Sequence, residues 1–110
     1  MNNRVPMVIV ALVLVFACSA FKPNVPVECY RRASIFGQGY VIIVKSKTSS
    51  TLSLWIKTEE KTANFTLEPH KSQNFGWLEG FHFGDNTSYS VGAEGYSPLD
   101  LSVEKTSRWD

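Results

Sequence analysis

Cysteine is scarce in this chain: only Cys18 and Cys29 occur in 110 residues. No disulfide framework can therefore hold it together, and stability has to come from packing. Histidine is as rare, with His70 and His82 alone, and their spacing matches no zinc pattern, so neither a metal nor any other cofactor is expected. An excess of one charge is missing too: Lys and Arg number 11 against 10 Asp and Glu, a net charge of +1. That balance gives no general attraction to polyanions, and nucleic acid is not an expected partner. The sequence holds no Gly-x-Ser-x-Gly, no His-Glu-x-x-His and no Gly-rich phosphate loop, which removes the common signatures of serine hydrolases, zinc proteases and nucleotide-binding enzymes.

One long apolar run is present, at the start. Arg4 is followed by "VPMVIVALVLVFA" from Val5 to Ala17, uncharged and shorter than a membrane span, as in an export leader. Residues 1–17 are read as a signal segment. Leu14, Val15, Phe16 and Ala17 then lead into Cys18, and this junction resembles the lipobox of bacterial lipoproteins, with Val15 for the commonest Leu and Phe16 for the usual small residue. The resemblance implies a diacylglyceryl group on the Cys18 thiol, cleavage just before it and a membrane partner reached through the lipid. Ser19 is no acidic retention signal, so the implied destination in a Gram-negative cell is the outer membrane. The alternative is an ordinary leader cut near Ser19 or Ala20, giving a secreted or periplasmic protein.

Residues 18–27 contain Pro23 and Pro26 and read as an extended tether or an edge strand. Residues 28–110 then form a single domain. "YVIIVKS" (40–46) is apolar at consecutive positions and suits a strand covered on both sides. "TLSLWIK" (51–57) sets Leu52, Leu54 and Ile56 against Ser53, Trp55 and Lys57, the period of two of a half-buried strand. "TANFTL" (62–67), "TSYSVGA" (87–93) and "LDLSVE" (99–104) repeat that alternation, with turn residues between them. The same parity aligns Phe75 with Trp77, Phe81 and Phe83 as an inward face. The expected fold is all-β, a small antiparallel sandwich or a barrel of about six or seven strands. The run from Gly84 to Val103 is similar to the last strands of exported immunoglobulin-like domains, a likeness that implies a fold and no activity. "KTSRWD" at 105–110 reads as a frayed tail from which Trp109 could still dock on the body.

The candidate binding residues are those that escape the inward parity. Trp55 faces away from Leu54 and Ile56, Tyr96 lies in the "EGYSP" turn, and His82 precedes Asp85 by three residues in "HFGD". A protein or a glycan could stack on such rings at little entropic cost. Catalysis is the minority reading: it would need His82, Asp85 and a further acid to converge, and Glu59 and Glu60 are adjacent in a turn rather than set across a bond. Cys29, near Arg31 and Arg32, is either an activated thiol or a small residue packed beside Val27; packing is expected, because the segment supplies no base. The sequence thus predicts an exported binding module of the cell envelope. A protruding loop at "LEPHKSQ" or "EGFHFGDN" would suit the rival role, an inhibitor of another enzyme.

Overall fold

A computed structural model describes residues 22–35 and 38–109. Cys18 and the leader lie outside these. The described chain is a β-sandwich of two four-stranded sheets. The strands are β1 (Val27–Ala33), β2 (Tyr40–Ser46), β3 (Leu52–Lys57), β4 (Thr62–Leu67), β5 (Ser72–Phe75), β6 (Ser88–Gly92), β7 (Leu99–Ser102) and β8 (Ser107–Arg108). One sheet runs β5-β2-β1-β8 and the other β4-β3-β6-β7. Every pairing is antiparallel except β1 with β8.

Alternation explains the sandwich. Val27, Ile42, Val44 and Phe75 from the first sheet meet Leu52, Leu54, Ile56, Leu67, Tyr89 and Val91 from the second in one core cluster. Each fully buried side chain of this size contributes about 1.5–3 kcal/mol. Strand β2 breaks the alternation as its sequence foretold. Ile42, Ile43 and Val44 are all buried, since β2 lies between β1 and β5 and Ile43 is covered on the outer face beside Tyr30 and Asn74.

Two segments belong to the body more closely than expected. Val25, inside the proposed tether, is buried in the core, and its N–H bonds to Ser97 O at 3.0 Å while Lys47 N–H bonds to Pro26 O at 3.0 Å. The chain therefore joins the body from Pro23, whose carbonyl accepts the Ser97 N–H at 2.8 Å, and Asn24 bridges Ser97; prolines at 23 and 26 suit an extended chain that pairs only intermittently. The "KTSRWD" tail is not frayed through residue 109. Ser107 and Arg108 add as a parallel strand beside Tyr30 and Arg31, Trp109 N–H bonds to Arg31 O at 3.0 Å, and the Trp109 ring meets Tyr30 edge-on at 5.1 Å. The tail thus supplies the eighth strand, while the Asn24 and Phe83 segments contribute only single bridges, to Ser97 and to Tyr40.

Candidate functional site

The inward parity fails at one place, and the failure builds the site. Phe75 and Phe81 are both buried, but Trp77 between them is 47% exposed and its neighbour Leu78 is 78% exposed. The chain leaves the core at Gly76, makes one 3-10 turn over Trp77–Glu79 and returns through Gly80 at φ 84°. The excursion is tied off three times: the Glu79 carboxylate accepts the Gly76 N–H at 2.7 Å, Phe81 N–H bonds back to Gly76 O at 2.9 Å, and Lys61 Nζ donates to Glu79 O at 2.7 Å. The two glycines bracketing "GWLEG" are the signal that parity alone missed: Gly80 occupies the left-handed conformation that closes such a turn.

Beneath the turn runs a chain of rings. Phe65 meets Phe75 at 4.7 Å, Phe75 meets Phe81 at 5.6 Å, Phe81 stacks on Phe83 at 5.5 Å, and Phe83 meets Tyr89 at 5.6 Å. Each such contact is worth about 0.5–1.5 kcal/mol beyond simple burial, so the loop carrying His82 is anchored on both sides by Phe81 and Phe83. Outward of this base the Trp77 and His82 rings lie 4.2 Å apart. The Trp77 indole N–H donates to Gln38 O in the β1–β2 hairpin at 3.0 Å, and Tyr40 N–H donates to Phe83 O at 2.9 Å. Hairpin, 3-10 turn and loop are thereby joined.

They enclose an open cleft of about 510 Å³, lined chiefly by Gln38, Tyr40, Trp77, His82 and Asp85. Asp85 sits in a turn closed by Thr87 N–H on Gly84 O at 3.1 Å and by Gly84 N–H on Thr87 Oγ1 at 2.9 Å. His82 and Asp85 also wall an adjoining cleft of about 470 Å³ that reaches Glu59, Glu60 and Lys61. Among the described residues no hydrogen bond or ion pair joins His82 to these carboxylates, and no group of three or more His, Cys, Asp or Glu could hold a metal ion. The cleft presents rings and polar edges for contact.

Of the sequence-predicted residues, His82 and Asp85 come together and the other two do not join them. Trp55 is half-buried on the outer face of β3, beside Asn64, Thr66 and Glu94 in a separate shallow hollow. Tyr96 is half-buried against the core in the turn that pairs with the N-terminal segment, its N–H on Ala93 O at 3.1 Å. His70 occupies the β4–β5 turn, exposed, with its N–H on Thr48 O at 3.2 Å. Cys29 packs against the core, and burial pushes its thiol up to about 12, the opposite of nucleophile activation. No helix among the described residues is long and apolar enough to cross a membrane.

The fold and cleft define a class: a small two-sheet β-sandwich that carries an aromatic cleft at one end. Comparison with protein families, with characterised proteins and with solved structures finds no match for this chain.

Proposed function

We propose that this protein is an exported binding module of the cell envelope, held to a membrane through acylated Cys18, that captures a protein partner at the cleft of Trp77, His82 and Asp85. The observation carrying this reading is the display of Trp77 and Leu78 on a turn that is fastened to both neighbouring loops. Ile35, 82% exposed in the same hairpin as Gln38, adds a second aliphatic side chain to that end. Exposed aliphatic groups gain from burial against another protein, whereas a glycan gains mainly from rings and polar edges. A pre-formed aromatic anchor also binds without the cost of ordering it first.

Two experiments test the reading separately. Intact mass of the native protein extracted from membranes should show a diacylated or triacylated chain beginning at Cys18; an unmodified chain beginning at Ala20 or Phe21 rejects the anchor. Crosslinking in envelope fractions should give one dominant partner that is lost with Trp77→Ala and kept with Trp55→Ala, since truncating an anchor of this kind costs about 2 kcal/mol, or roughly thirtyfold in affinity. Equal crosslinking by both variants would move the binding surface elsewhere. Should the captured partner be an enzyme that loses activity on binding, the module is an inhibitor acting through the same cleft.

A further inference from the structure

A second concave surface lies where β1 and β8 run side by side. Parallel pairing sets Arg108 next to Arg31, and the groove is lined by Arg31, Arg32, Ala33, Tyr40, Arg108 and Trp109, with a volume of about 540 Å³. No Asp or Glu is among these described lining residues. In a chain with a net charge of only +1, three arginines border one groove, Arg31 and Arg32 from opposite faces of β1.

The groove is partly pre-ordered. Arg31 stands 5.4 Å from the centre of the Tyr40 ring and donates to Val103 O at 3.3 Å, which ties the wall of the groove to the sandwich. Arg32 is exposed. Trp109, pinned through its N–H to Arg31 O and edge-on to Tyr30, keeps 43% of its surface open. Guanidinium forks match a carboxylate bidentately, and an indole with one open side takes the body of a ring. The volume suits a small ligand. Strand addition by a peptide is disfavoured here, because β8 offers an edge of only two residues.

We propose that this groove binds an acidic saccharide, its carboxylate held by Arg32 and its ring laid against Trp109, which packs on Tyr30 on the same face of β1 as Arg32. The site adjoins the aromatic cleft through Tyr40 but rests on different side chains, so it goes beyond the protein-capture reading and stands or falls independently of it.

Isothermal titration of the purified protein with trigalacturonate and with a hyaluronan tetrasaccharide tests the proposal, with methyl-esterified trigalacturonate as the uncharged match. At least one acidic saccharide should bind saturably, more weakly as salt rises, while the ester binds at least about tenfold more weakly. Arg32→Gln, an exposed substitution whose folding is checked by thermal melting, should weaken acid binding by about tenfold; Lys45→Gln on β2 should leave it unchanged. The proposal is overturned if neither acidic saccharide binds at millimolar concentration, if the ester binds as well as the acid, or if Arg32→Gln has no effect. Arg32-dependent binding to phosphatidylglycerol vesicles without saccharide binding would likewise overturn it, assigning the groove to a membrane surface.

Discussion

The indole of Trp55 fills the space that a side chain on Gly92 would need: a β-carbon built on Gly92 would stand 2.3 Å from Trp55 Cζ2. The two residues are cross-strand neighbours on β3 and β6, so the ring is laid over its partner's backbone, which is why an outward tryptophan is half-buried. Gly92→Ala must push the ring away, with an expected loss of about 1–3 kcal/mol in urea unfolding. In a Trp77→Phe, Trp109→Phe background the remaining indole should also become more accessible to acrylamide. An unchanged midpoint and unchanged quenching would show that the ring does not depend on this gap.

Gly39 plays the equivalent part at the cleft. Its φ is +93° and a β-carbon there would meet Phe83 O at 2.3 Å, the same oxygen that accepts the Tyr40 N–H. Gly39→Ala faces both backbone strain and a clash with main chain that cannot swing aside, so a cost of about 2–3 kcal/mol is expected. Because the bridge joins the hairpin to the His82 loop, partner crosslinking at Trp77 should fall together with stability. Loss of stability alone would separate the bridge from binding.

Tyr89 and Thr106 make a buried polar relay. The Thr106 hydroxyl donates its proton to Ser102 O at 2.8 Å, so the Tyr89 hydroxyl, 2.6 Å from it, donates to Thr106. Tyr89→Phe removes a donor and strands no other group, for a cost of about 1 kcal/mol. Thr106→Val leaves the buried Tyr89 hydroxyl unpaired and should cost about 1–3 kcal/mol. Denaturant unfolding of the two variants should rank them in that order, and the reverse ranking would refute the assigned direction of donation.

Alkali should unfold the domain through its buried acids. Burial pushes the Cys29 thiol from 9.0 up to about 12 and raises the Tyr89 phenol as well. The folded state favours the neutral thiol, so stability is intact below pH 9.0, where the unfolded thiol is also neutral. It falls as pH rises from 9.0 towards 12, because only the unfolded chain ionises readily there. Melting temperature should drop across that window, and Cys29→Ala should flatten part of the drop. At pH 8 iodoacetamide should label Cys29 only as fast as the domain opens; rapid labelling of the native protein would contradict the burial.

The strands were legible wherever one face is buried, as at Leu52, Leu54 and Ile56, because a period of two records which side meets the core. Strand β1 was obscured by Pro23 and Pro26, and its status as an interior strand depends on Ser107 and Arg108, two polar residues with no periodicity to read. At the cleft the sequence marked His82 and Asp85 through their loop but set Trp77 inward. Parity counts residues as though the strand continued, and Gly76 and Gly80 allow the chain to step out and back between two buried phenylalanines. Trp55 and Tyr96 were legible as outward or turn residues; where those stretches sit in space depends on strand order, which no local pattern encodes.

Strand β1 has a further consequence as a spacer. Its first residue, Val27, follows the segment that docks on Ser97, and its last, Ala33, lines both the aromatic cleft and the arginine groove. Six steps of extended chain separate these ends by about 20 Å. Strand β1 thereby sets a fixed polarity: the chain enters the sandwich near Ser97 at one pole, and Trp77, His82 and the arginines lie at the other. An anchor at Cys18, as proposed, would hold the cleft of Trp77 and His82 on the side of the sandwich away from it.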